Sequence, residues 1–213
     1  MIAIVDYGIG NLGSVLKAFR RYGTGVELTG DPAALRRARA LVLPGDGAFG
    51  AAMDELRARG FDRLVLEAAR EGKPLLGVCV GMQLLFEESE EHGRHRGLGL
   101  LPGRVRRFEV APLPVPHMGW NQVIRAREHP LLEGVADGAY VYFVHSYWCD
   151  AVGDAVVAWS DYGGRFPAIV ARDSILGLQF HPEKSQSVGL RMIGNFVNAL
   201  REAPAGTAVE ARP

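Results

Sequence analysis

The chain has 213 residues, 48% of them apolar, with 24 basic and 24 acidic side chains. That length suits a single core, and the charge balance removes the first argument for a nucleic-acid or anionic-membrane partner. No apolar run approaches a membrane span. The first eight residues lack the basic start and cleavage site of a secretory leader. The two isolated cysteines, Cys79 and Cys149, make neither a disulfide framework nor a zinc site. A cytoplasmic chain with reduced thiols, no metal and no cofactor is expected.

In chain order, residues 2–5 read as a buried strand. Residues 11–22 read as a helix, with Leu12, Val15, Leu16 and Phe19 at helical spacing. A strand over 25–29 follows, and Asp31-Pro32 opens a helix with Asp as cap and Pro in the first turn. The strand at 41–43 ends in Pro44-Gly45-Asp46-Gly47, and 48–59 and 61–71 are helical. Residues 75–78 read as a strand and 82–89 as a helix. This alternation predicts parallel strands with helices on both faces. Farther on the pattern changes: 104–110, 122–125, 140–144, 155–160 and 168–172 are strand-like and divided by turn residues, which suits hairpins. Residues 175–180 return to a buried strand, and 188–200 form a closing amphipathic helix. The expected fold is an open, mostly parallel α/β sheet with an antiparallel extension, one domain over residues 1–201, and a fraying tail over 202–213. Ligands of such sheets bind beyond the C-terminal strand ends.

The unusual residues fall at those ends. In Gly77-Val78-Cys79-Val80-Gly81 a buried strand runs into a turn from which a helix leaves. This is a nucleophile-elbow pattern with Cys in place of Ser. The turn exposes the side chain, the glycines allow close backbone approach, the helix N-terminus favours thiolate, and the Val80 N–H is left for an oxyanion. An inert cysteine at a glycine-flanked turn is the competing reading. A thiolate that must release ammonia needs a general acid–base, usually His. Of six histidines, His92, His95 and His129 lie in charged or turn-rich stretches and read as solvated. His181 ends the last buried strand and is followed by Pro182-Glu183, so Glu183 can orient one ring nitrogen while the other faces Cys79. Gly45-Asp46-Gly47, at another strand end, can aim backbone N–H groups at a carbonyl oxygen. Cys149 reads as a packing residue.

Together these three segments resemble the class I, triad-type glutamine amidotransferases, over nearly the whole chain up to about residue 200. The resemblance implies a flavodoxin-like fold and hydrolysis of glutamine through a cysteine thioester, with Cys79 as nucleophile, His181 as base and Glu183 orienting it. It implies oxyanion donors at Val80, Asp46 and Gly47, and contacts to glutamine from Gly47, Gln83, His145, Ser146 and Tyr147. Asp46 departs from the apolar residue common there, so its carboxylate is expected to point away. Three further runs, Asp6-Tyr7-Gly8-Ile9-Gly10-Asn11-Leu12, Pro116-His117-Met118-Gly119-Trp120-Asn121 and Tyr142-Phe143-Val144-His145-Ser146-Tyr147, look like those of glutaminase subunits of imidazole glycerol phosphate synthases. That likeness implies a (β/α)8-barrel cyclase partner, docked on Asn11, His117, Met118, Trp120 and Lys184, that takes the ammonia for histidine biosynthesis. The glutaminase subunit of another synthase, a silent regulatory subunit and a self-contained cysteine hydrolase remain the alternatives.

Overall fold

The computed structural model describes residues 1–23, 25–151 and 153–202. The tail expected to fray lies outside these residues, except for Glu202, which ends the last helix. The first half alternates as the sequence predicts: β1 (Ile2–Val5), α1 (Leu12–Arg20), β2 (Val26–Thr29), α2 (Pro32–Arg37), β3 (Ala40–Leu43), α3 (Phe49–Ala58), α4 (Phe61–Arg70), β4 (Leu75–Val78) and α5 (Val80–Gln83). Then come β5 (Phe86–Ser89), β6 (His95–Arg96), β7 (Leu101–Arg107), β8 (His117–Arg125), β9 (Ala139–His145), β10 (Tyr147–Ala151), β11 (Val156–Asp161), β12 (Arg165–Arg172), β13 (Ile175–Leu178) and α6 (Gln186–Glu202).

The main sheet runs β2-β1-β3-β4-β13-β12-β11-β8-β9. Its first five strands are parallel, in the flavodoxin-like order, and the remaining four extend it antiparallel. Strands β1, β3, β4 and β13 are buried along their whole length, as strands covered on both faces must be. Right-handed crossovers that step left after β1 and right after β2 place their helices on opposite faces. Accordingly α1 touches α6, while α4 touches both α2 and α3. Asp31 caps α2 by accepting from the N–H groups of Ala33 and Ala34 at 3.0 and 3.2 Å. Phe19 and Phe49, from the two helical layers, are completely buried.

Two elements differ from the sequence reading. The helix expected over 82–89 is a single turn, and the chain then becomes β5. The carbonyls of Leu84 and Leu85, which a longer helix would use, instead accept from the N–H groups of Leu98, Leu100 and Leu101. A short apolar run such as Leu84-Leu85-Phe86 fits either period, and the returning chain decides. The second difference is a separate four-stranded sheet, β10-β7-β5-β6. The chain changes sheets at Ser146: β9 ends at His145 in the main sheet and β10 begins at Tyr147 in the small one.

Strand β9 forms one edge of the main sheet. The turn after β13 covers it there: Tyr142 O accepts from His181 N at 3.0 Å, and Tyr142 N donates to Ser185 Oγ at 2.9 Å.

Candidate active site

Strands β3, β4 and β13 are adjacent and in register, with Leu43 opposite Gly77 and Gly77 opposite Gly177. Their C-terminal ends therefore bring Pro44–Gly47, Cys79 and His181 to one rim of the sheet. Cys79 N donates to Leu178 O at 2.7 Å, tying the nucleophile's turn to the neighbouring strand. Cys79 has φ 55° and ψ −114°, a strained backbone for a residue with a Cβ. The glycines around it are forced by space: a Cβ on Gly77 would lie 2.6 Å from Gly81 O, and one on Gly81 would lie 1.8 Å from Leu43 O. Val80 opens the turn, so its N–H has no carbonyl one turn earlier to receive it. The helix that follows is a single turn, and the side chain that meets Cys79 is His181.

His181 is 5% exposed, and its Nδ1 lies 2.9 Å from Glu183 Oε1, whose side chain is 1% exposed. Burial by itself would lower the His181 pKa. Contacts with Cys79 and Glu183, and the charges of both, raise it from 6.5 to about 10. Nε2 is buried without a hydrogen bond of good geometry among the described residues, as are Glu183 Oε2 and Gln179 Nε2. These three atoms lie within five residues of one another, at the rim that carries Cys79. Ser185 Oγ donates to His181 O at 2.6 Å and fixes the backbone of the turn.

The Gly45–Gly47 loop packs directly on the cysteine turn, since a Cβ on Gly45 would lie 2.7 Å from Gly81 N. Gly47 has φ 77° and Asp46 is exposed. Tyr7, given no role by its sequence, donates its hydroxyl to Pro44 O at 2.6 Å from a fully buried position. Burial, then the charges of Asp46 and Cys79, push its phenol far above the ordinary value.

Residues 3–200 match the family described as glutamine amidotransferase class-I. The chain is 50% identical to the imidazole glycerol phosphate synthase subunit HisH of Salinibacter ruber, over 98% of this chain and 99% of that one. It is 51% identical to the HisH subunit of Syntrophotalea carbinolica, over 92% of this chain and 98% of the other. The chain belongs to the class-I glutamine amidotransferases, in the HisH family. Solved structures agree on the fold: a glutamine amidotransferase crystal structure superposes with TM-score 0.74 at 21% identity, covering 94% of this chain and 98% of the other. PurLQS from Thermotoga maritima gives 0.72 at 21% identity, covering 93% and 98%.

In this amidotransferase Gln83 is 2% exposed, and its Nε2 donates to Tyr147 O at 3.0 Å and to Gln179 Oε1 at 3.2 Å. Both amide hydrogens are thus engaged within the protein. Gln179, completely buried, is a second residue that sequence reasoning passed over. His145 is buried as well, while Ser146 and Tyr147 are partly exposed where the chain changes sheets.

The expected docking residues divide. Met118 and Trp120 are 62% and 46% exposed. They share one face of the β8–β9 pair with Ile124 and Tyr140, since Met118 lies opposite Val144 and Trp120 opposite Tyr142. Asn11 and Lys184 are exposed too, Asn11 capping α1 by accepting from Ser14 N at 3.3 Å. His117 departs from its expected place. Strand alternation turns it inward, 4% exposed, so its side chain does not share the face of Met118 and Trp120. His129 is not simply solvated: its Nδ1 accepts from Leu131 N at 3.1 Å, and burial plus Arg127 lower its pKa to about 4. His95 is half-buried over Gly50, while His92 is exposed. Cys149 is completely buried, and burial followed by the charge of Cys79 raises its thiol pKa.

Among the described residues no cluster of three or more His, Cys, Asp or Glu is placed to hold a metal. No described helix is long and apolar enough to cross a membrane.

Proposed function

We propose that the chain hydrolyses glutamine to glutamate and ammonia, and passes the ammonia to a (β/α)8-barrel cyclase subunit. That partner makes imidazole glycerol phosphate and aminoimidazole carboxamide ribotide in histidine biosynthesis, in the cytoplasm. The observation that carries this reading is the strained Cys79 facing a His181 whose other nitrogen is held by a buried Glu183. The 50% identity with HisH subunits over nearly the whole chain supports the choice of synthase.

The Cys79 thiolate attacks the side-chain amide carbon of glutamine. The oxyanion that forms meets the Val80 N–H and the backbone of the Asp46–Gly47 loop. The His181 imidazolium gives its proton to the leaving nitrogen, the C–N bond breaks, and ammonia departs from a thioester. Neutral His181 then takes a proton from water, whose oxygen attacks the thioester carbon. Glutamate leaves, and the thiolate–imidazolium pair is restored. Glu183 keeps one ring nitrogen occupied throughout, so the proton moves only through the other.

Ammonia crosses to the cyclase through the docking face that carries Met118 and Trp120, with Asn11 and Lys184 flanking it. Gly47, at φ 77°, lets the oxyanion loop turn its peptide groups only once the partner is seated, which prevents wasteful hydrolysis.

Glutamate release should be measured for the chain alone and with a barrel cyclase and its ribotide ligand, with Cys79→Ala as control. Strong stimulation that disappears in the control supports the reading. Full activity without a partner would leave an autonomous hydrolase, and inactivity under every condition a silent subunit.

A further inference from the structure

His117, turned away from the face of Met118 and Trp120, takes part in an uninterrupted hydrogen-bond chain, buried at the two imidazoles and half-buried at its ends. Its Nδ1 lies 3.1 Å from His145 Nε2, and its Nε2 lies 3.2 Å from Asn121 Nδ2. His145 Nδ1 lies 2.8 Å from Tyr147 O. Tyr147 O also accepts from Gln83 Nε2, and Gln83 lies on the turn that starts at Cys79. The direction of every bond follows from one end. A carbonyl oxygen only accepts, so His145 carries its proton on Nδ1 and leaves Nε2 as acceptor. His117 must then donate from Nδ1, and its own Nε2 accepts from the Asn121 amide. The second Asn121 hydrogen goes to Asp161 O at 2.8 Å, and Asn121 Oδ1 accepts from Gln122 N at 2.8 Å. Nothing in the chain is left to reverse it.

The rings are also fixed in space. His117 is stacked between Phe143 and Tyr162, with centroids 4.9 and 4.2 Å away. Phe108 and Phe166 pack their edges or tilted faces against both imidazoles. Met118 and Trp120, which follow His117 along the same strand, face outward.

We propose that His117 is a positioning residue for glutamine hydrolysis: it holds His145 in a single tautomer, and so ties the exposed β8 face to the Tyr147 carbonyl and the Gln83 amide beside Cys79. The proposal rests on the glutaminase reading above. Whatever seats on Met118 and Trp120 moves β8, and the two neutral rings carry that movement to the substrate stretch as a strut of fixed length. Burial supports neutral rings: it lowers the pKa of His117 to about 4 and, aided by the charges of His117 and His181 against the Tyr147 hydrogen bond, that of His145 to about 3.

The first test reads the ring nitrogens of the full-length, 15N-labelled protein by NMR. Both His117 and His145 should show a protonated Nδ1 and a bare Nε2, unchanged down to about pH 5. A protonated Nε2 in either ring would refute the chain. The second test is kinetic, in the complex with the barrel cyclase. His117→Phe keeps the stacked ring but makes no hydrogen bond, and it should raise the KM for glutamine about tenfold. His117→Asn, which can still donate to His145, should recover most of that loss. A variant that is merely less stable loses active sites and so lowers kcat at an unchanged KM. Where the buried variants fail to fold, half-buried Asn121→Asp serves instead. It offers His117 Nε2 only an acceptor, which draws the ring's single proton from Nδ1 to Nε2 and takes the donor away from His145, so KM should rise. Cys79-dependent hydrolysis by the wild type with an unchanged KM in a folded variant would sink this inference alone. If the wild-type complex shows no such hydrolysis, the functional reading falls, and the inference with it.

Discussion

Cys79 occupies φ 55°, a conformation that costs a residue with a Cβ on the order of 1–3 kcal/mol. Glycine adopts it freely, so Cys79→Gly should gain about 1 kcal/mol against urea while losing hydrolysis. Cys79→Ala inherits the strain and should show no gain; equal unfolding midpoints for the two variants would mean that the turn stores nothing. His181 must donate a proton to the leaving nitrogen, so the alkaline limb of kcat/KM follows its folded pKa of about 10. Glu183→Gln keeps the shape and removes the charge that helps to raise that value. The limb should move to lower pH by about a unit or more, and kcat should fall roughly a hundredfold. A pH–rate profile whose limb stays in place would assign the limb to another group. Cys79, His181 and Glu183 are legible in the sequence because each advertises itself locally: a cysteine with glycines two residues to either side, and a carboxylate two residues beyond a histidine. Tyr7 and Gln179 are not, because their partners stand 37 and 96 residues away. Their identities acquire meaning only when three strands meet.

The turn that carries the nucleophile exists because two glycines let backbones touch. Gly81→Ala would drive a Cβ to 1.8 Å from Leu43 O, and it should destabilise the fold by about 3 kcal/mol or more. Gly47→Ala meets open space and only the strain of φ 77°. It should fold with a loss of about 1–2 kcal/mol but blunt partner-stimulated turnover. Denaturation and stimulated-rate measurements on the pair separate the two causes; similar losses of both properties in both variants would show that loop and turn act as one rigid unit. On β8–β9, Trp120 is a half-exposed aromatic beside Met118 and within 6.1 Å of Tyr142. Trp120→Ala should weaken cyclase binding by about 2 kcal/mol, close to thirtyfold in Kd by calorimetry, with little change in stability. The long alternating elements of the first half were legible from period and caps alone. Strand β5 was not, because its helix-like apolar run is overruled by carbonyls that residues 98–101 claim. Nor was the inward turn of His117, since the sequence stretch before residue 122 gave no strand period from which to assign faces.

At the scale of the molecule, three histidines are held against protonation: His117 and His129 at about 4, and His145 at about 3. Unfolded, each titrates near 6.5, so below that pH the unfolded chain takes up protons that the folded chain refuses. Their contribution is complete above 6.5 and is lost as pH falls through 4 for His117 and His129, and through 3 for His145. His117 and His145 each add a slope of up to about 1.4 kcal/mol per pH unit within that window. His181 has the opposite sign: its raised value gives a contribution that is complete below 6.5 and disappears as pH rises through 10. Urea unfolding should therefore find greatest stability near pH 6.5, falling on the acid side with the three lowered histidines and on the alkaline side toward pH 10 with His181; a midpoint that stays level from pH 6.5 to 4 would show that these rings are hydrated. The architecture as a whole, a parallel half carrying the chemistry and an antiparallel half beside it, could be read from where the pattern of the sequence changes. The small second sheet could not, because the sheet change at Ser146 is a matter of tertiary pairing. The cover over strand β9 has one more consequence. Strand edges invite other chains to add themselves, and here the backbone of the catalytic histidine occupies that place at Tyr142. A foreign strand can zip onto β9 only by evicting the base from its site. Self-association through this edge and loss of catalysis are then a single event, and an active molecule is one whose β9 edge is closed to recruitment.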